Sequence, residues 1–179
     1  MFVSVVAFAG VGQWRTHFAY NSVQVIANCP EEIYALANGA IFSINKMTEN
    51  MTLYNNRSGL HGTNVCFLMY DEEREQLLIM YSDGKMDIQY NSTMHYISDL
   101  YNKRMTSSKK CNNITIHGKF AYLSMDFGIL VFDLEKHEFK ETYYIGEEAS
   151  EVQVTDVMFY GDSIYARTKS KNYCACIYD

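Results

Sequence analysis

The sequence predicts an all-β repeat protein, a β-propeller built from four-stranded antiparallel blades. Three observations carry this reading. A unit of about 44 residues recurs along the chain, a tight turn sits at the same place in each copy, and the composition suits pleated sheet. The 179 residues are 48% hydrophobic and 15% aromatic, with 15 tyrosines and one proline, Pro30. A length of this order fits one domain, and apolar residues spread along the whole chain argue against disorder.

The repeat shows first in four apolar segments that begin at Ile33 (IYALANGAIFSI), Leu77 (LLIMYSDGKMDI), Ala121 (AYLSMDFGILVFD) and Ile164 (IYARTKSKNYCACIYD), spaced by 44, 44 and 43 residues. The glycines inside the first three, Gly39, Gly84 and Gly128, are spaced by 45 and 44 and read as structural turn residues. Shorter apolar strands precede each segment at Val23, Val65, Ile114 and Val157, with spacings of 42, 49 and 43. The grammar is clearest in the second unit. Val65–Tyr70 reads as a strand, 71–75 as a polar turn, Gln76–Tyr81 as a second strand and Ser82-Asp83-Gly84 as a tight turn. Met86–Tyr90 follows as a third strand and Met94–Leu100 as a weaker fourth. Four strands in such a unit is the signature of a propeller blade, and helical repeats of similar length would need a 3.6-residue apolar period that is absent here.

The blades are placed at 22–56, 59–100, 112–145 and 155–179, the last with three strands. Residues 13–179 thus form a partial propeller of about 3.75 blades, incomplete or truncated, since propellers usually close 4–8 blades into a ring. The segment Trp14–Tyr20 (WRTHFAY) is a candidate for supplying a missing strand and latching the ring. Residues 1–12 begin with an uncharged apolar stretch and place small residues at Ala7, Ala9, Gly10 and Gly12, as in the tail of a signal peptide. A buried first strand is the alternative for Val3, Val5 and Val6.

Charge and motifs narrow the function. A net charge of −6 and a pI near 5.3 disfavour a nucleic-acid partner, and no apolar run reaches the length of a membrane-spanning helix. The five histidines are scattered, without an HxH or HExxH pair, so no metal site is expected. No nucleophile elbow or phosphate-binding glycine loop occurs, so no catalytic residue and no cofactor are expected. The acidic run 71–75 lacks the alternating ligands and glycine bend of a calcium loop and reads as a solvated turn. Cys29, Cys66, Cys111, Cys174 and Cys176 are odd in number, irregularly spaced and read chiefly as small buried hydrophobes, with a disulfide framework as the alternative.

One stretch stands out. The gap between the second and third units is about six residues longer than the others, and the excess falls in 101–111. That stretch carries Lys103, Arg104, Lys109 and Lys110. Insertions in repeat proteins gather on one face, often the binding face. These four cations are therefore the candidate contacts for phosphate or carboxylate groups of a surface glycan, against the alternative of a solvated loop.

The segment Gly59-Leu60-His61-Gly62-Thr63-Asn64-Val65-Cys66-Phe67, with Leu77-Leu78-Ile79-Met80-Tyr81-Ser82-Asp83-Gly84, resembles the two-component-regulator propeller repeat. The opening Trp14–Tyr20, followed by Ile33–Ala37 and Leu53-Tyr54, resembles the PorZ-like surface components of the type IX secretion system of Bacteroidetes, over residues 14–179. The resemblance implies a non-enzymatic, exported scaffold at the periplasm or outer-membrane-associated cell surface. Its partners would be other secretion-system proteins of the sortase-type attachment complex, with anionic lipopolysaccharide or glycan as ligand. Such proteins carry two propellers and a C-terminal sorting domain, and this chain departs from them by ending inside the first propeller. The alternative is the periplasmic ligand-sensing propeller of a hybrid two-component regulator, which uses the same repeat. A propeller lyase or glycosidase has no residue constellation behind it.

Overall fold

The computed structural model describes residues 22–91 and 93–177, so the expected leader at 1–12 and the Trp14–Tyr20 latch lie outside the described residues. Among the described residues, fifteen strands form four antiparallel sheets. The first sheet contains β1 (Val23–Asn28), β2 (Glu32–Ala37), β3 (Ala40–Asn45) and β4 (Met51–Tyr54). The second contains β5 (Val65–Asp71), β6 (Gln76–Tyr81), β7 (Met86–Tyr90) and β8 (Thr93–Ile97). The third contains β9 (Cys111–His117), β10 (Phe120–Met125), β11 (Gly128–Asp133) and β12 (Glu138–Tyr143). The fourth contains β13 (Val154–Tyr160), β14 (Ser163–Thr168) and β15 (Asn172–Cys176). Each is a simple meander, with neighbours in space following the order in sequence. The first strands of successive sheets pack against one another, β1 on β5, β5 on β9 and β9 on β13, which sets the sheets around an axis as blades. The described residues thus form about three and three-quarter blades of a propeller, as the repeat predicts.

Apolar residues alternate between the two interfaces of an inner blade. In β6, Leu77, Ile79 and Tyr81 join Leu36, Ile41, Leu60 and Leu68 between the first and second blades. Leu78 and Met80 point the other way and join Ile114, Leu123, Leu130 and Phe132 between the second and third. Tyr122, Ile129 and Val131 meet Val154, Val157 and Ala166 between the third and fourth. Middle strands are therefore buried on both faces, and β6 and β11 are buried throughout, while the outer strands β4, β8 and β12 are largely exposed. A strand covered on both sides reads as a continuous apolar run, which is why the repeat is so legible.

Every first strand carries a β-bulge at its second residue. The register shifts between Val23 and Val25, between Val65 and Phe67, between Cys111 and Asn113, and between Val154 and Asp156. The extra residues are Gln24, Cys66, Asn112 and Thr155. The register corrects the sequence alignment of the third and fourth units, because Ile114 and Val157 correspond to Leu68 and not to Val65. The linker 98–110 has 13 residues against 10 for 55–64 and for 144–153, so the insertion is three residues long instead of about six.

Further expectations change in detail. Gly39 forms a two-residue Asn38-Gly39 turn with both φ values positive, 51° and 78°, as a type I′ hairpin requires. Gly128 instead opens β11 beyond the turn, where an added Cβ would lie 2.3 Å from the Tyr143 carbonyl oxygen. Asp71 is buried and not solvated, because it ends β5 and accepts from Arg74 Nη1 at 3.3 Å and from Gln76 Nε2 at 3.1 Å. Cys29 and Cys111 are buried as expected, but Cys174 and Cys176 are exposed on β15, which pairs only with β14 among the described residues.

The Gly-Leu-His-Gly motif acquires a physical meaning. Leu60 plugs the interface between the first two blades, and Gly62 lies flat on the Tyr81 ring, where a Cβ would come within 2.4 Å of Cδ1. His61 is held by its own backbone amide, which donates to Asp87 Oδ2 at 2.9 Å, and by Nδ1, 2.8 Å from Asp87 Oδ1. The Tyr81 hydroxyl donates to the same carboxylate at 2.5 Å. Burial, reinforced by the neighbouring carboxylate, raises the Tyr81 hydroxyl pKa far above its ordinary range, so the hydroxyl stays a donor. Asp87 is fully buried and gathers these donors, pinning the linker to the blade it enters. Asp87→Ala leaves them unsatisfied and should cost about 3 kcal/mol of stability. Thermal denaturation should show Tm falling by roughly 6–12 °C for a domain of this size.

Candidate binding face

Because each blade is a meander, its turns alternate between two ends. One end carries the β2–β3, β6–β7, β10–β11 and β14–β15 turns together with the three linkers, 55–64, 98–110 and 144–153. The remaining turns occupy the other end. The longest linker, 98–110, therefore sits beside the turns of its neighbours. It opens with a single helical turn, α1 (Asp99–Asn102), whose Leu100 is buried.

Gly84 positions this linker. With φ at +90°, it admits the linker so closely that a Cβ would lie 2.9 Å from Lys109 Cδ and 3.1 Å from Leu100 Cγ. Lys109 is half-buried, and its ammonium donates to the Tyr101 carbonyl at 2.7 Å. Lys85, from the adjacent turn, places its ammonium 4.6 Å from the centroid of the Tyr101 ring, and Lys109 approaches the same ring at 5.9 Å. Lys85 also pairs with Asp83 at 3.0 Å. Lys103, Arg104 and Lys110 are exposed, and none of the four cations of the linker forms an ion pair among the described residues. The structure thus draws Lys109 into the linker's own architecture, leaves Lys103, Arg104 and Lys110 at the surface, and adds Lys85. Lys85 escaped sequence reasoning because it lies in another turn. Its position directly after Gly84 was the available signal.

The base of the linker is held by Asp126. Burial pushes its carboxyl pKa up, but hydrogen bonds from Ser108, Asn112 and Gln153, with Lys110 nearby, outweigh this and hold it below the ordinary range. Asn112 Nδ2 donates to Asp126 at 3.0 Å and to the Val154 carbonyl at 2.8 Å. Asn113 Nδ2 reaches Asp156 at 2.5 Å, and the Thr115 hydroxyl donates to the Val157 carbonyl at 2.6 Å. These bonds stitch the third blade to the fourth along the axis.

Exposed carboxylates occur at both ends, at Glu147, Glu148 and Glu151 beside the basic linker and at Glu31, Glu49, Glu72, Glu73, Glu75 and Glu135 on the opposite end. A cleft of about 510 Å³ there is lined by Arg74, Gln76, Tyr90 and His137 among others. Arg74 bridges Asp71 at 3.3 Å and Glu135 at 3.5 Å, tying the second blade to the third. His137 Nε2 lies 2.8 Å from Gln76 Oε1, and its ring is 5.9 Å from that of His95. Among the described residues, no three His, Cys, Asp or Glu side chains converge as a metal would need. An apolar opening of about 380 Å³ lies beside β15, lined by Tyr122, Ile129, Tyr143, Phe159, Ile164 and Tyr173 among others.

The His137 contact predicts a pH response. Burial and the neighbouring His95 lower its pKa, with Asp133 opposing, so the neutral ring is the favoured folded form. A folded pKa below the unfolded one gives stability that is present above the ordinary histidine range and lost as pH falls through the folded value. Between pH 7 and 5 the wild-type Tm should fall more steeply than that of His137→Gln. Parallel curves would show that His137 is not the sensor.

Comparison with known proteins agrees with this architecture. The N-terminal β-propeller domain of the type IX secretion system protein PorZ matches residues 33–177. A solved structure of PorZ from Porphyromonas gingivalis, described as an essential bacterial surface component of the type IX secretion system, is 26% identical with a TM-score of 0.75. The match covers 86% of this chain and 20% of that one, so the chain spans about a fifth of the PorZ it resembles. The extracellular domain of the putative hybrid two-component system BT4673 from B. thetaiotaomicron shares the fold at 16% identity and a TM-score of 0.65, over 82% of this chain and 19% of that one. AztD from Citrobacter koseri does so at 12% identity and a TM-score of 0.60, over 86% of this chain and 43% of that one. No curated protein matches by sequence. No helix among the described residues is long and apolar enough to cross a membrane, which says nothing about membrane crossing by strands. With a family match over most of its length, the chain belongs to the PorZ N-terminal β-propeller family.

Proposed function

We propose that this chain acts as a non-enzymatic binding module, part of the N-terminal propeller of an exported PorZ-like component of type IX secretion. It works in the periplasm or at the outer-membrane-associated cell surface. There it contacts other secretion-system proteins of a sortase-type attachment complex and the anionic groups of lipopolysaccharide or a related glycan. The observation that carries the ligand reading is the cluster of cations on and beside the longest linker. A chain of net charge −6 places Lys85, Lys103, Arg104, Lys109 and Lys110 together at one end, which also holds Glu147, Glu148 and Glu151 of the linker 144–153. An anionic glycan is attracted to the cations of the linker 98–110, which orients the module on its ligand. Gly84 and Tyr101 support the cations by fixing the linker, so part of the ordering cost is met before a ligand arrives.

Replacing Lys103, Arg104, Lys109 and Lys110 together with serine should weaken binding to purified anionic lipopolysaccharide by roughly tenfold or more at low salt, the three exposed cations each contributing up to about 1 kcal/mol and Lys109 acting through the linker it holds. High salt should narrow the difference. Titration of the wild type and the quadruple variant by calorimetry measures this, and equal affinities would remove the linker from the ligand site.

A further inference from the structure

Two cysteines, both free thiols in this structure, enter the interface between the second and third blades, and the Cys111 thiol donates to the Asn113 carbonyl at 3.2 Å. Cys111 opens β9 at the position held by Val65 in β5 and Val154 in β13. At that position the side chain turns back towards the preceding blade, as Val65 and Val154 do within their own interfaces. Cys111 is fully buried in the cluster with Leu78, Met80 and Leu123. Cys66 is the bulge residue of β5, one whole repeat before Asn112. Asn112 shows where a bulge side chain points, because its amide reaches the Val154 carbonyl of the following blade. Cys66 does the same, packing against the cluster that contains Cys111. Both side chains thus enter one interface, from opposite blades, at the same end of adjacent first strands. None of the other cysteines is so placed. Cys29 lies between the first and second blades, and Cys174 and Cys176 are exposed on β15.

We propose that Cys66 and Cys111 are a disulfide site that joins the second and third blades covalently when the exported chain folds. The exported reading supplies the oxidant, and the geometry is independent of it. Burial pushes the Cys66 thiol up to about 11 and Cys111 well above the ordinary thiol range, so the assembled dithiol reacts slowly. The bond forms while the blades are docking and the thiols remain accessible. One cysteine thiolate attacks a sulfur of an oxidised dithiol carrier, breaking the carrier's S–S bond and leaving a mixed disulfide and one carrier thiolate. The second cysteine, deprotonated, attacks the chain's sulfur in that mixed disulfide and expels the carrier's second thiolate. Two electrons pass from the cysteine pair to the carrier, and the two thiol protons end on its thiolates. Closure of the interface then shields the bond from reductants.

The test is to refold the full chain in a mixture of oxidised and reduced glutathione, alkylate the remaining thiols, and map peptides without reduction. The expected product is a Cys66–Cys111 linked peptide pair, lighter by two hydrogens than the separate peptides and lost on reduction. Adding reductant during refolding should lower Tm by roughly 8–16 °C, the effect of opening a loop of this length in a chain of this size. Cys111→Val installs the residue that the second and fourth blades already use there, so it keeps the packing, and its Tm should not respond to reductant. Recovery of both Cys66 and Cys111 as alkylated thiols, linkage of either to another cysteine, or an equal reductant response in Cys111→Val would each overturn the proposal.

Discussion

A sheet whose middle strands are apolar on both faces cannot be stable alone, because one face is left in water whichever way the blade turns. Everything else in this chain follows from that constraint. The side chains of β6 alternate between two clusters, with Leu77 and Ile79 serving one interface and Leu78 and Met80 the other, so the second blade needs neighbours on both sides. The third blade is in the same position through β10, where Leu123 and Tyr122 divide between its two interfaces. Burial at roughly 25 cal/mol per Å² of apolar surface holds the blades together, while hydrogen bonds along the axis choose their register. The end blades show the consequence. Ile26 is 63% exposed on β1, at the position where the second and third blades bury Leu68 and Ile114, and Met158 is 58% exposed on β13, at the position where the second blade half-buries Met69.

Function follows from the same geometry. Packing fixes the strands, so variation is left to the turns and linkers, and the meander sorts these onto two ends. One end receives the basic linker. Gly84 connects packing to this surface. The glycine that closes the β6–β7 turn is also the floor on which Leu100 and Lys109 rest. The stability of the blade and the position of the cations are therefore one property, and a change at this turn should disturb both.

The fold was legible because its signals are local and repeated. Continuous apolar runs at 33, 77, 121 and 164, with a turn after each, suffice to place the second strand of every blade. What depends on contacts across a whole repeat was hidden. The first strand of the third blade opens on Cys111 where the others open on valine, which made Ile114, three residues on, look like the partner of Val65 and doubled the apparent insertion. Asp71 reads as one more acid in a polar turn, since nothing local reveals Gln76 bonding to it or Arg74 continuing across to the next blade at Glu135. Asp87 sits inside an ordinary strand, and its role appears only when His61 arrives from the linker. Within the basic patch, composition located Lys103, Arg104, Lys109 and Lys110. It could not separate Lys109, held by Tyr101, from its exposed neighbours or bring in Lys85.

Inter-blade burial is the central claim, and amide hydrogen exchange tests it most directly. Slowest exchange should be found in β6, β7, β10 and β11, the middle strands of the blades with neighbours on both sides. Protection should fall outward to β4, β8 and β12 and along the chain to β14 and β15. Equal protection in all four blades, or slowest exchange in β15, would mean that the blades are stable without their neighbours and would contradict the account.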